Sequence, residues 1–180
     1  MVDERADADV ELAIRAVAGD EVAFIEIVRR YDGGLRRLAF RLLDDRDAMD
    51  DVLQETYLKA FASIRNFRGQ ATLRTWLYRI VYNACLDQIR RRHRQPLVQV
   101  VEARSRDASE QADLRLSLAD ALAALTPDER AAVLLVDAEG LSYDEAAVVT
   151  GVPAGTIASR LSRARAALRR ALREPEGAPT

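Results

Sequence analysis

The chain has very few of the residues on which redox and metal chemistry depend. Among its 180 residues, Cys85 is the only cysteine and His93 the only histidine. One cysteine excludes an internal disulfide, and one cysteine with one histidine does not make a structural zinc site. The sequence also lacks a glycine-rich phosphate loop and a recognisable spacing of nucleophile and base. We therefore expect no catalytic residues, no metal and no cofactor, and we interpret the chain as a binding protein rather than an enzyme.

Long apolar runs are missing as well. No stretch approaches the roughly 20 apolar residues that a membrane-spanning helix needs. Residues 1–11 are acidic and polar, whereas a secretory signal begins basic and continues apolar. We expect a cytoplasmic protein that does not insert into a membrane. Its apolar fraction of 49% is enough for one medium domain or two small ones.

The formal net charge is only −2, but the charges are strongly segregated. Segment 146–173 has six arginines and no acid, and segment 68–94 has seven arginines and one acid, Asp87. Segment 44–55 reverses the sign, with six acids and Arg46 as its only base. Ordinary solvated helix faces would explain such runs, but two basic segments and an acidic one favour at least two kinds of binding surface.

Helical spacing of apolar residues along almost the whole chain predicts an all-α fold. Segment 93–113 interrupts this pattern with Pro96 and a run rich in Ser, Asp, Glu and Gln. We therefore predict two small helical domains, 1–92 and 114–174, joined by a flexible linker at 93–113 and followed by a tail at 175–180. The predicted helices are 10–18, 21–43, 47–64, 73–92, 114–125, 128–139, 143–150 and 154–173.

A helix-turn-helix is predicted in the C-terminal domain. Ser142 and Glu145 form a capping box for a short helix, and Gly151-Val152-Pro153 forces a turn before the next helix. Apolar residues at three- and four-residue spacing form the buried stripe of that next helix. The opposite face carries small polar residues and an arginine, which suit base edges in the major groove. These residues are Gly155, Ser159, Ser162 and Arg163.

The N-terminal domain contains two further motifs. Helix 47–64 is predicted to bury Met49, Val52, Leu53, Ala60, Phe61 and Ile64, and to expose Asp50, Asp51, Gln54 and Glu55. This acidic face suits a basic partner or plain solvent equally well. Loop 66–72 contains a glycine and precedes a helix that carries Trp76 among arginines. Such a site can hold an unstacked base, although core packing is the alternative for a lone tryptophan.

Five blocks, in order and across nearly the whole chain, resemble the extracytoplasmic-function branch of the sigma-70 family. They are FIEIVRRY at 24–31, DVLQETYLKA at 51–60, FRG with TWLYRI at 67–80, LTPDER at 125–130 and GVPAGTIASRLSRAR at 151–165. The resemblance implies a sigma factor that directs core RNA polymerase to specific promoters. It also implies promoter DNA as a partner, duplex and melted, control by an anti-sigma factor, and a monomer when free.

The resemblance also assigns residues by motif. Asp51, Gln54 and Glu55 would bind the clamp helices of the polymerase's largest subunit. The minus-ten element would be read as single-stranded DNA by Phe67, Arg68, Gly69, Gln70, Trp76, Arg79 and Asn83. The minus-thirty-five element would be read as duplex by Thr156, Ser159, Arg160, Ser162 and Arg163. Ala158 departs from the family pattern, which often has a basic residue there, so the promoter preference of relatives cannot be transferred.

Three other interpretations stay open at this point. A helix-turn-helix regulator that binds operator duplex explains the C-terminal domain, but it leaves blocks 51–60 and 67–83 without a role. An all-α adaptor that uses its arginines for acidic proteins predicts no affinity for DNA. An enzyme comes last, because no catalytic constellation is visible.

Overall fold

The structure, a computed structural model, describes residues 2–94 and 118–172. Within these two ranges every regular element is helical and no strand occurs, which confirms the all-α prediction. The predicted linker lies outside the described residues, apart from positions 93 and 94 at the end of a helix, and so does the predicted tail. No helix in the described ranges is both long enough and apolar enough to cross a membrane.

Four helices and a short turn form the first half of the chain. They are α1 (Val2–Val17), α2 (Glu21–Leu43), α3 (Arg46–Ser63), a 3₁₀ turn (Ile64–Asn66) and α4 (Leu73–Arg94). Asp20 and Asp45 cap the N-termini of α2 and α3. Their carboxylates accept hydrogen bonds from the N–H groups of Ala23 and Ala48 in the first turn of each helix. Helix α1 begins eight residues before the predicted start, since acidic residues stabilise a helix N-terminus without any apolar stripe.

Residues 118–172 form four more helices. A helical segment, α5, covers 118–123, and α6 (Pro127–Val133) continues into one π-helical turn (Leu134–Ala138). The helix-turn-helix consists of α7 (Tyr143–Thr150) and α8 (Ala154–Ala171), both starting at the predicted residues. Capping boxes start α6 and α7, because in each the N-cap hydroxyl accepts from the third helical N–H and the glutamate there reaches back.

The apolar core is continuous between the two halves. Residues from α1 to α4 form one cluster with buried side chains of the C-terminal helices, among them Leu135, Val149 and Ile157. A smaller cluster joins α5 and α6 to α8 through Leu122 and Leu161. Helix α4 also packs against α7, so the two predicted domains lie in direct contact in this structure.

The buried face of α3 includes Ala48, which was not predicted, and leaves Met49 only partly buried, but it differs most from the prediction at Phe61 and Thr56. Phe61 is 47% exposed and contacts Phe24 edge-on, with ring centroids 5.2 Å apart. Thr56 is completely buried instead, at a position that the sequence pattern passed over because the residue is polar. Helical periodicity identifies the face of a helix but not its edges, which depend on the neighbouring helices.

Candidate nucleic-acid interface

The acidic face of α3 is built as the sequence predicts. Asp51 and Gln54 are exposed, and Glu55, half-exposed one turn after Asp51, pairs with Lys59 at 2.7 Å. The hydrogen bond from Lys59 holds the pKa of Glu55 below its ordinary value. The structure therefore brings the three residues assigned to polymerase binding onto one side of one helix.

A cavity of about 400 Å³ lies between the 66–72 loop and the first turns of α4. This volume is within the roughly 300–1,000 Å³ typical of small-ligand sites. The rings of Phe67 and Trp76 meet at a tilt of 57°, with centroids 5.4 Å apart, and form its aromatic wall. Arg68, Gln70 and Arg79 also line it. Two rings beside two arginines can stack on a base and bind the adjoining phosphates.

The loop is shaped by two local features. Gly69 adopts φ +68°, a left-handed conformation that glycine takes without steric cost, and open space surrounds it. Thr72 caps α4, since its Oγ1 accepts a hydrogen bond of 3.1 Å from the Thr75 N–H. Asn83, the last residue assigned to this site, is exposed one turn after Arg79 and does not line the cavity.

Helix α8 presents the face that the sequence predicts for duplex DNA. Ile157, Leu161 and Ala164 are completely buried and seat the helix on its neighbours. Gly155, Ser159, Ser162 and Arg163 are exposed, whereas Thr156 and Arg160 are intermediate. The turn before α8 forms because Gly151 adopts φ +72° at the C-cap of α7.

The arginines of α8 are paired with acids from earlier helices. Arg163 Nε lies 3.1 Å from Glu129 Oε1, and Arg165 reaches Asp137 with contacts of 2.5 and 3.0 Å. Arg160, whose side chain is only 17% exposed, pairs with Asp128. The sequence showed a basic segment without acids, but the fold supplies them from positions 28 to 34 residues away. A ligand that binds these three guanidinium groups through the same nitrogen atoms would have to displace the carboxylates that now pair with them.

Comparison with known proteins identifies the family. Residues 27–95 match the family described as Sigma-70 region 2, and residues 115–168 match Sigma-70, region 4. The chain is 39% identical over 170 residues to the ECF RNA polymerase sigma factor SigM of Mycobacterium tuberculosis, covering 94% of this chain and 86% of the relative. The chain belongs to the extracytoplasmic-function branch of the sigma-70 family. The resemblance found in the sequence is thereby confirmed.

Other known proteins are similar over comparable lengths. The RNA polymerase sigma-H factor of Pseudomonas aeruginosa is 34% identical over 182 residues, covering 92% of this chain and 94% of the relative. The structure of CnrH in complex with the cytosolic domain of CnrY matches with a TM-score of 0.73 at 30% identity, over 92% of this chain and 97% of that one. The structure of RpoE bound to the anti-sigma factor NepR, from Bartonella quintana, matches with a TM-score of 0.69 at 31% identity. The match covers 85% of this chain and 98% of that one.

One cavity residue escaped the sequence analysis altogether. Val148 of α7 also lines the cavity beside Trp76, although the two residues belong to different predicted domains. Val148 is 42% exposed, and nothing in its local sequence distinguishes it from other apolar residues of a short helix. Only the packing of α7 against α4 brings it there.

Proposed function

We propose that this sigma factor joins core RNA polymerase, directs it to promoters and acts by binding alone, and that an anti-sigma factor controls it. The relatives are named as RNA polymerase sigma factors, and one similar solved structure is the sigma factor RpoE bound to the anti-sigma factor NepR. A factor of this kind works where polymerase and DNA are, in the cytoplasm. Domains 1–92 and 114–174, with the linker 93–113 between them, are part of the proposal.

The observation that carries the proposal is the cavity beside the 66–72 loop. Phe67 and Trp76 pack partly against the core but stay partly exposed in the cavity wall, and stacking contributes about 1–3 kcal/mol for each base held. A regulator that binds only duplex has no use for such a site. We assign the cavity to an unpaired base of the minus-ten element, with Asn83 contacting the strand beyond Arg79.

The two other surfaces would bind the polymerase and duplex DNA. The acidic face of α3, formed by Asp51, Gln54 and Glu55, would bind a basic surface of the polymerase. The exposed face of α8 would enter the major groove of the minus-thirty-five element, where Arg163 can make a bidentate contact with guanine. Ala158 is half-exposed beside Ser159 and contributes no hydrogen bond from its side chain, so we expect readout at that point to rest on its neighbours.

Reconstituted transcription tests the proposal. Core polymerase plus this chain should initiate at promoters identified by mapping transcript starts, and the double variant Asp51→Arg/Glu55→Arg should lose at least about 90% of initiation. Attraction between these two acids and a basic surface would be replaced by repulsion, which costs several kcal/mol at an interface. Binding of promoter duplex by the C-terminal domain within the full chain should not change, as gel shift would show.

The matched control is Asp7→Arg/Glu11→Arg. These two acids are also exposed and also one turn apart, but on α1. Both double variants change the net charge equally, so a loss confined to the α3 pair reports docking and not charge. Normal initiation by the α3 variant would refute the docking face, and no initiation by the wild-type chain would favour an operator-binding regulator.

A further inference from the structure

Arg163 of α8 is held by an acid in a way that leaves its outer nitrogen atoms free. Its Nε lies 3.1 Å from Oε1 of Glu129. The two terminal nitrogens, Nη1 and Nη2, make no hydrogen bond to any residue in 2–94 or 118–172, and 63% of the side chain is exposed. The guanidinium group is therefore fixed at one nitrogen and open at the other two.

The other two paired arginines of α8 are less available. Arg165 pairs with Asp137 through both Nε and Nη2, at 3.0 and 2.5 Å, so one edge of its guanidinium group is fully occupied. Arg160 pairs with Asp128 through Nη2, and only 17% of its side chain is exposed. Bidentate recognition of guanine needs two N–H donors that point at O6 and N7. Among these three arginines, Arg163 alone offers both terminal nitrogens without breaking an ion pair.

Glu129 is itself fixed, because both of its carboxylate oxygens have partners. Oε2 accepts a hydrogen bond of 2.8 Å from the Thr126 hydroxyl, which belongs to the capping box that starts α6. Oε1 is the atom that accepts from Arg163. The hydrogen bonds from Thr126 and then from Arg163 hold the pKa of Glu129 below its ordinary 4.5. The acid is therefore ionised at neutral pH and stays in place beside α8.

We propose that Glu129 is a positioning residue for base recognition. It holds Arg163 by Nε, so that Nη1 and Nη2 can bind O6 and N7 of a guanine in the major groove while the ion pair stays closed. This inference rests on the proposed role of α8 in reading duplex DNA. A long side chain loses conformational freedom when it binds, and one that is already held loses less. Glu129 should therefore increase the preference for guanine at one position of the promoter.

The same acid should weaken binding to DNA of any sequence, because its negative charge repels phosphates. These opposite effects separate positioning from damage to the fold. Glu129→Gln removes the charge but keeps the length of the side chain and a residue type that suits the capping box. We expect this variant to bind random-sequence duplex more tightly than the wild type and to lose about threefold of its preference for guanine, the factor of a typical exposed ion pair. A damaged α8 would bind random duplex more weakly.

The second capping box of the chain supplies the matched control. Glu145 has the same place in the capping box of α7 that Glu129 has in that of α6, but its other contact is Thr75 and it makes no ion pair with α8. Glu145→Gln therefore makes the same change of charge and should leave the guanine preference as it is. Glu129→Asp keeps the charge and shortens the side chain by one methylene. It should lose guanine preference without binding random duplex more tightly.

Two measurements on the full chain provide the readouts. Fluorescence anisotropy measures its binding to random-sequence duplex. Sequencing of the transcripts that the chain and core polymerase initiate from promoters with a randomised minus-thirty-five element measures base preference. Arg163→Ala then shows whether the effect of Glu129 acts through Arg163. In that background Glu129→Gln should change base preference no further, because the group that it positions is absent.

The outcomes separate the positioning role from the proposed function. If Arg163→Ala reduces the guanine preference but Glu129→Gln and Glu129→Asp do not, or if Glu145→Gln reduces it equally, the positioning role is wrong. Tighter binding of Glu129→Gln to every sequence, with base preference intact, would mean that the ion pair opens on DNA and would also overturn it. Circular dichroism identifies a variant that does not fold, and the other Glu129 variant then decides. If the wild-type chain with core polymerase shows no base preference in this element, the proposed role of α8 fails first, and positioning fails with it.

Discussion

Arg130 should be one of the main supports of the C-terminal helices. It belongs to the LTPDER block, and from α6 its guanidinium donates 2.8 Å hydrogen bonds to the carbonyls of Leu122 and Ala123 and a longer one, 3.4 Å, to Leu125. The last carbonyls of a helix have no partner inside it, so this side chain completes the end of α5. The LTPDER block is therefore a family signature, and it also holds the end of α5 against α6.

The decrease in the free energy of unfolding expected for Arg130→Ala follows from the surroundings of each carbonyl that accepts a hydrogen bond from Arg130. The bond to Leu122 is partly buried and involves a charged donor, which contributes about 1.5–2 kcal/mol. The bond to Ala123 is exposed, so water replaces most of it, and the one to Leu125 is long. We expect a destabilisation of about 2 kcal/mol, which moves the urea midpoint by roughly 1 M at ordinary slopes.

Urea unfolding with two probes tests this magnitude. Circular dichroism follows all helices, whereas the fluorescence of Trp76 follows α4, the 66–72 loop and the neighbouring Val148 of α7, so a loss confined to α5 and α6 separates the two curves. Arg130→Lys keeps the charge without the planar fork and should cost about half as much. Arg169→Ala, at an exposed position of α8, should stay within about 0.5 kcal/mol of the wild type. An Arg130→Ala variant equally close to the wild type would refute the reasoning.

Two further predictions concern the first half. Thr56 Oγ1 is buried and, within the described ranges, has no hydrogen-bond partner. Thr56→Val should therefore raise the free energy of unfolding by about 1 kcal/mol in urea unfolding. A lower free energy of unfolding than that of the wild type would contradict this. The hydrogen bond from the Ala48 N–H lowers the pKa of Asp45 from its ordinary 3.8. The ionised cap therefore stabilises the fold above that pH and loses its effect as the pH falls below it. Asp45→Ala should cost about 1 kcal/mol at pH 7 and much less near pH 2, and an equal cost at both would be evidence against the cap.

The elements predicted best from the sequence are those specified by local chemistry. Helix α7 begins where Ser142 and Glu145 form their capping box, and it ends where Gly151 can adopt a left-handed conformation. Helix α2 likewise starts after a capping aspartate and has both predicted ends. Such signals act within four residues of one another, so a single sequence displays them completely.

The features that sequence analysis missed depend on contacts between distant segments. The π-helical turn at Leu134–Ala138 ends at Glu139, the residue held by three side chains from the first half. Val148 at the cavity and the acids opposite α8 are also placed by packing alone. None of these contacts follows from periodicity, because periodicity describes a helix by itself and not the helix that lies beside it.

These distant contacts bear on the order in which the proposed partners bind. Both candidate DNA surfaces are partly occupied by the chain itself, the cavity by Val148 and the arginines of α8 by acids such as Glu129 and Asp137. On the acidic face of α3, by contrast, Asp51 is exposed and makes no ion pair with any residue in the described ranges, and Gln54 is exposed and uncharged. A partner that binds this face therefore displaces at most the exposed ion pair of Glu55 with Lys59. If a partner binds there first, its binding free energy can help to displace Val148 from the cavity and Asp137 from Arg165, whereas DNA alone would have to displace both.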